Sequence, residues 1–193
     1  ILAREVSELI LVGRRSEALD AVREECEGHR AHLKTGLDMS QIAKADLVIT
    51  VTSATSSIID PEHLKPGAVV CDVARPRDVS RRVIEVRDDV LVIEGGMVEV
   101  PGPVDFGFNF GFPPGKSYAC MAETMALALE GRYADYSVGK KIGLAQVDEI
   151  GQMAARHGFR LSGFRSFERA VTQEQIDHVR ERARETRRRW QGE

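Results

Sequence analysis

The feature that most limits what this chain can fold into is the run Asp46-Leu-Val-Ile-Thr-Val-Thr52, unbroken in aliphatic and β-branched residues. A strand apolar on both faces belongs in a sheet covered on both sides, which is how parallel sheets are built. Residues 68–72, after the turn Lys65-Pro66-Gly67, and residues 90–93, before Glu94-Gly95-Gly96, have the same character. Glu8–Val12 is another short apolar strand, ending at Gly13, and residues 32–35 are a candidate for one more. Between them, Ser16 is placed to cap a helix carrying Ala18, Leu19, Val22 and Cys26 at close to helical spacing, with Gly28 ending it. Residues 39–45 suit a short helix.

Apolar strands alternating with helices or loops, each ending in small or polar residues, predict a doubly wound α/β sheet. The reading is a Rossmann-like parallel sheet whose first strand and glycine-rich phosphate loop are missing from these residues and expected upstream of Ile1, the chain being truncated there. A mixed sheet in an unrelated α+β domain is the alternative. Residues 101–115 are rich in Gly, Pro and Phe and read as a loop between domains. Beyond them the chain reads as helical, at residues 118–129, 144–156 and 172–190. The expected division is therefore a partial dinucleotide-binding domain over residues 1–104 and a helical C-terminal domain over residues 105–193.

Composition excludes several classes. The hydrophobic content of 42% and charged content of 30% are those of a soluble globular chain. A net charge of -3 argues against wholesale nucleic-acid binding, which needs cations facing phosphates. No apolar run approaches the roughly 20 residues that span a bilayer, and no signal-peptide layout is present, so a cytoplasmic location is expected. Three widely spaced cysteines form neither a disulfide framework nor a zinc site, and the histidines lack metal-ligand spacing. No metal is expected, and the oligomeric state is not encoded in any pattern.

In doubly wound sheets ligands bind beyond the carboxyl ends of the strands. The residues there are Gly13, Arg14 and Arg15, then Thr52, Ser53 and Ala54, then Ala74, then Gly95. An acidic residue at the end of the second Rossmann strand selects NAD, whereas arginines accommodate the additional phosphate of NADP. Arg14 and Arg15 therefore point to NADPH, with ordinary surface arginines as the alternative. The hydroxyl-bearing stretch of residues 52–57 permits close approach of a cofactor, or is simply a polar loop. Asp72 reads as a strand-end residue that holds a neighbouring loop. The arginine- and glutamate-mixed run of residues 180–190 reads as a solvated helix face, or as a docking patch for an acidic partner.

Cys120 carries two readings. The break Pro113-Pro114-Gly115, with Ser117 as N-cap and Lys116 nearby, places it in a first helical turn, where unpaired amides favour a thiolate. Equally, it could be a small buried apolar residue beside Ala119 and Met121, and free cysteines are among the most buried residues, which favours this second reading. Cys26, late in a helix, and Cys71, inside a strand, read as structural.

The segment Tyr118-Ala119-Cys120-Met121-Ala122-Glu123-Thr124-Met125, followed by Glu130, Tyr133, Ser137-Val138-Gly139, Ile150-Gly151 and His157-Gly158-Phe159, resembles the long-chain acyl-acyl-carrier-protein reductases, aldehyde-forming enzymes. Glu8-Leu-Ile-Leu-Val-Gly-Arg14 and Glu94-Gly-Gly-Met-Val-Glu99 look similar too, so the resemblance runs from near Ile1 to about Phe159. It implies an NADPH-binding Rossmann domain, a nucleophilic cysteine at Cys120, and an acyl carrier protein or coenzyme A thioester as the partner substrate. It implies reduction of that thioester to a fatty aldehyde through a cysteine acyl-enzyme. The loop Val73-Ala-Arg-Pro-Arg-Asp78 looks more like that of glutamyl-tRNA reductases or shikimate-dehydrogenase-like proteins. Two other functions stay open: a shikimate- or amino-acid-type dehydrogenase needing no cysteine, and a non-catalytic dinucleotide-binding module.

Overall fold

The computed structural model describes residues 1–109, 111–139 and 142–190, Trp190 by its backbone alone. Phe110, within the loop read at residues 101–115, lies outside the described residues. The chain divides into two compact units, one of Ile1–Glu94 with the stretch from Arg165 onward, the other Gly95–Phe164.

The first unit is α/β and Rossmann-like, with parallel sheets. A short helix α1 (Leu2–Glu5) leads into β1 (Glu8–Val12), which pairs in parallel with β2 (His32–Gly36). Helix α2 (Ser16–Glu25) makes the crossover between them. A second parallel sheet has the order β3 (Leu47–Thr50), β4 (Val69–Asp72), β5 (Leu91–Glu94). Its register sets Thr50, Asp72 and Glu94 side by side, so the three carboxyl ends form one edge. Crossovers through a 3-10 turn (Pro61–His63) and helix α3 (Arg82–Val86) return the chain to the same edge.

Two of the expected local details differ. Ser16 is the first residue of α2 and Arg15 its N-cap, with no side-chain cap bond. Met39–Lys44 is the short helix expected there, in 3-10 form, capped by Asp38 accepting from the Ser40 amide at 2.6 Å. The β3 sheet is also buried more deeply on one face than on the other, where Val69, Cys71, Leu91 and Ile93 are half-buried. Val48, Val70 and Val92 are buried with Ile59, Leu64, Val79 and Val83, while Leu47 and Ile49 remain 48% and 42% exposed. The β-branched content that suggested two buried faces records strand propensity as well as burial.

In the second unit, β6 (Met97–Glu99) lies between β7 (Lys116–Tyr118) and β8 (Arg160–Leu161) in an antiparallel sheet. Helices α4 (Ala119–Leu129) and α5 (Leu144–Arg156) complete it. Ala122, Ala126 and Leu127 of α4 pack with Met153, Val100 and Phe159 into a separate core. Polar joints tie the helices outside that core. Glu130 accepts from Arg156 at 2.7 Å and meets His157 Nε2 at 3.0 Å, and Glu149 accepts from Tyr136 and Arg132, each at 2.5 Å.

The C-terminal stretch is thus helical with short strands added. They escaped the sequence because two or three residues carry no readable alternation and exist only through partners distant in the chain. Past β8 the chain rejoins the first unit as the hairpin β9 (Arg165–Ser166) and β10 (Arg169–Ala170), then helix α6 (Gln173–Trp190). Ala183 of α6 is buried, and Arg187 donates to Pro66 O at 2.9 Å. A Cβ on Gly67 would fall 3.0 Å from Ala183 Cβ, and Gly67 has φ +75°, so both backbone conformation and close approach require glycine in that turn. Arg182 is bound to Asp88 at 2.7 Å and Arg187 faces Asp46 at 3.5 Å. The arginine-rich face therefore includes residues that fasten α6 to its own unit.

Candidate functional site at the carboxyl edge of the sheets

The residues singled out from the sequence fall at several places. Gly13, Arg14 and Arg15 come together with Ala18, Leu19 and Val22 around a shallow depression of about 560 Å³, between the end of β1 and the start of α2. The Gly13 amide donates to Gly36 O at 3.2 Å, continuing the ladder. A side chain at Gly13 would meet Leu19 Cδ2 at 3.1 Å, so glycine lets α2 sit close over the strand end. Arg14 and Arg15 are exposed, and among the described residues neither pairs with a carboxylate. Two unpaired guanidinium groups beside a helix start that lacks a side-chain cap suit a phosphate group.

The ends of β3 and β4 are built on buried acids. Asp78 is fully buried. Its Oδ2 accepts from the Thr50 hydroxyl and from the Thr52 amide at 3.0 Å, and its Oδ1 accepts from the Thr52 hydroxyl at 2.6 Å. The Thr52 oxygen in turn accepts from the Ala54 amide at 3.1 Å, and Ser53 lies exposed between them. Asp72, 1% exposed, accepts from the amides of Ala74 at 3.0 Å and Val79 at 3.1 Å, which fixes both ends of the intervening loop. Burial pushes the Asp72 carboxyl up, against the lowering by those two amides, and the neighbouring Asp78 adds to the rise. Ala74 is buried in that loop, and Gly95 is half-buried immediately after β5. Asp78 and Thr50 were not singled out from the sequence. The available signal was a pair of acids bracketing a strand-end loop opposite two threonines spaced by two.

Cys120 belongs to the other unit. It is exposed and is the second residue of α4. The amide of Ala119 donates to Gly96 O at 2.7 Å, whereas the Cys120 and Met121 amides have no carbonyl to reach within the helix. The expected N-cap moves by one residue. Ser117 is fully buried in β7, paired with Val98, and Tyr118 is the N-cap, with the Phe112 ring edge-on to it at 4.4 Å. Lys116 does not serve the thiol, since its ammonium donates to Ser162 O at 3.0 Å. Cys71 lies in β4 with its thiol pushed up by burial and by Asp72, and Cys26 is the C-cap of α2. Among the described residues no three His, Cys, Asp or Glu are arranged to hold a metal, and no helix is long and apolar enough to cross a membrane.

Comparison with known proteins agrees with this architecture. Residues 1–94 match the family described as Shikimate / quinate 5-dehydrogenase, a Rossmann-like domain. The chain is 36% identical over 140 residues to the aminotransferase PigE of Serratia sp., covering 71% of this chain and 16% of that protein. It is 30% identical over 162 residues to the long-chain acyl-[acyl-carrier-protein] reductase of Synechococcus elongatus, covering 80% of this chain and 46% of the reductase. A shorter match, 36% identical over 76 residues, joins 38% of this chain to 26% of the bifunctional protein FolD of Listeria monocytogenes. The chain thus spans less than half the length of each of these relatives. The link to the acyl-carrier-protein reductases is distant, since the aminotransferase matches to a similar extent.

Proposed function

We propose that this chain is the part of an NADPH-dependent reductase that converts a fatty acyl thioester, carried on acyl carrier protein or coenzyme A, to a fatty aldehyde. The observation that carries this reading is the exposed Cys120 in the first turn of α4, in a chain that aligns with an acyl-[acyl-carrier-protein] reductase over 80% of its length. The cofactor residues proposed are Gly13, Arg14 and Arg15 for the phosphate of the adenosine end, and Thr52, Ser53, Ala54, Ala74 and Gly95 along the strand ends. The unpaired arginines fit that phosphate; no acid of this chain competes for them among the described residues.

Cys120 Sγ attacks the thioester carbonyl carbon as a thiolate, forming a carbon–sulfur bond as the carrier thiolate leaves and takes a proton. The free amides of Cys120 and Met121 offer donors for the carbonyl oxygen as it gains charge. NADPH held by the residues named above would supply a hydride for the acyl carbon, and the role of Cys120 is then to leave that carbon as the thiolate. Asp72 and Asp78 hold the strand-end loops of residues 50–54 and 72–79 through their hydrogen bonds to Thr50, Thr52, Ala74 and Val79.

The match of residues 1–94 to dehydrogenases favours a second reading, hydride transfer with no covalent intermediate. One experiment separates the two: NADPH oxidation by the full-length polypeptide with acyl-carrier-protein and acyl-coenzyme A substrates, comparing wild type with Cys120→Ala. Loss of aldehyde formation in the variant, with NADPH binding kept, supports the acyl-enzyme. Undiminished turnover in the variant rejects it in favour of the dehydrogenase. NADPH binding with no turnover in either protein points to a binding module.

A further inference from the structure

The hairpin that returns to the first unit has a costly tip. Phe167 and Glu168, the two residues between β9 and β10, both have positive φ, 44° and 72°, in a two-residue turn of the kind that Asn-Gly satisfies with least strain. An aromatic and a carboxylate stand there instead, and each makes contacts that Asn-Gly could not. Phe167 is 8% exposed, packed into the core of the β3–β5 sheet, with Arg77 Cζ 5.4 Å and Arg81 Cζ 5.6 Å from its ring centre. Arg77 bridges Glu168 Oε1 at 3.0 Å and Glu94 Oε1 at 2.9 Å, and the Glu168 amide donates to that same Glu94 oxygen at 3.2 Å. Arg165 Nη2 donates to the Glu168 carbonyl, closing the hairpin behind it.

Arg77 is the residue before Asp78. The tip therefore grips the loop of residues 73–79 from outside at Arg77, while Asp78 grips Thr50 and Thr52 from inside. We infer that the Phe167–Glu168 tip is a positioning clamp on the strand-end loops, through which Phe167 and Glu168 set dinucleotide affinity without touching the ligand. The inference rests on the reading above that a dinucleotide binds at this edge. Strained residues with specific partners, next to loops that need a fixed shape, are the arrangement expected of such a clamp.

The test uses the full-length polypeptide with NADPH as the probe, titrated calorimetrically well below the melting temperature, with amide hydrogen exchange measured in parallel. Glu168→Gln keeps the turn and removes the charge; the double variant Phe167→Asn, Glu168→Gly relaxes the turn and removes both contacts. Arg182→Ala is the control, because it loosens α6 from Asp88 and leaves residues 73–79 untouched. The clamp predicts NADPH binding weaker by about threefold to tenfold in Glu168→Gln and by more in the double variant, a range typical of coupling between contacting residues. It also predicts faster exchange at the Thr52, Ile58, Ile59 and Val79 amides, and an unchanged Kd in the control. A Kd that follows melting temperature alike in all three variants, or that does not move in the first two, overturns the clamp and leaves the hairpin a structural plug. Wild-type protein that fails to bind NADPH overturns the cofactor reading itself, an outcome distinct from wild-type binding that the variants leave intact.

Discussion

Two strand ends of the same unit are built on opposite plans. After β3 and β4, the polar groups of Thr50, Thr52, Asp72 and Asp78 are consumed by one another or by nearby backbone, and the two acids are buried. After β1, Arg14 and Arg15 stand in solvent around an open depression with no acid partner among the described residues. The first arrangement spends its hydrogen-bonding capacity on shape, because an unsatisfied group in a buried site is expensive. The second contributes little to stability and keeps its donors available for an external anion. A site that must hold a ligand in register needs both kinds of construction, one rigid and one uncommitted.

The contrast is broken most severely at Asp78. Asp78→Ala strands two hydroxyls and an amide, and is expected to cost about 3 kcal/mol or more in urea unfolding. A cost within about 0.5 kcal/mol, the range of ordinary surface changes, would show that the network is ornamental. At the other strand end, replacing Arg14 and Arg15 together with alanine should leave the urea midpoint almost unchanged. It should weaken NADPH by about tenfold to a hundredfold, the size of one or two charge-assisted hydrogen bonds, with NADH affected far less. Equal losses for NADPH and NADH would remove the assignment of the phosphate to these arginines.

Acid titration gives a smaller effect of opposite sign at two acids. Asp88 is held below the ordinary carboxylate range by hydrogen bonding to Arg182, so its stabilising contribution is present above the unfolded-state value and is lost as the pH falls through its folded value. Asp72 is raised by burial, so its contribution is fully present below the unfolded-state value and is lost as the pH rises through its folded value. Arg182→Ala should therefore lower Tm by no more than about 2 °C at neutral pH, as for an exposed pair, and by nothing measurable once Asp88 is protonated. A Tm deficit that persists unchanged at the acid end would mean that Arg182 acts through packing of α6 rather than through its charge.

Much of the first unit could be read directly. The parallel strands, the helix after β1 and the loop-holding role of Asp72 follow from local residue patterns, because apolar runs and their punctuation are properties of neighbouring residues. The exposure of Cys120 and the partner of Lys116 could not be read, since both depend on β7 pairing with β6 across the intervening residues 100–115. Asp78 stayed hidden for the same reason: its partners Thr50 and Thr52 are 28 and 26 residues away in the chain. The arginine-rich tail looked like solvated surface because helix periodicity shows which residues share a face but not what that face meets.

The sequence by itself determined the strands β1, β3, β4 and β5 with helix α2, the glycines that follow β1 and β5 and the placing of arginines beyond β1, all short-range consequences of side-chain shape and charge. Only the tertiary structure decided that residues 165–190 return to the first unit, that Phe167 enters its core and that one arginine, Arg77, joins Glu94 to Glu168. Those contacts close loops tens of residues long, and their free energy comes from burial and ion pairing between segments that share no local signal.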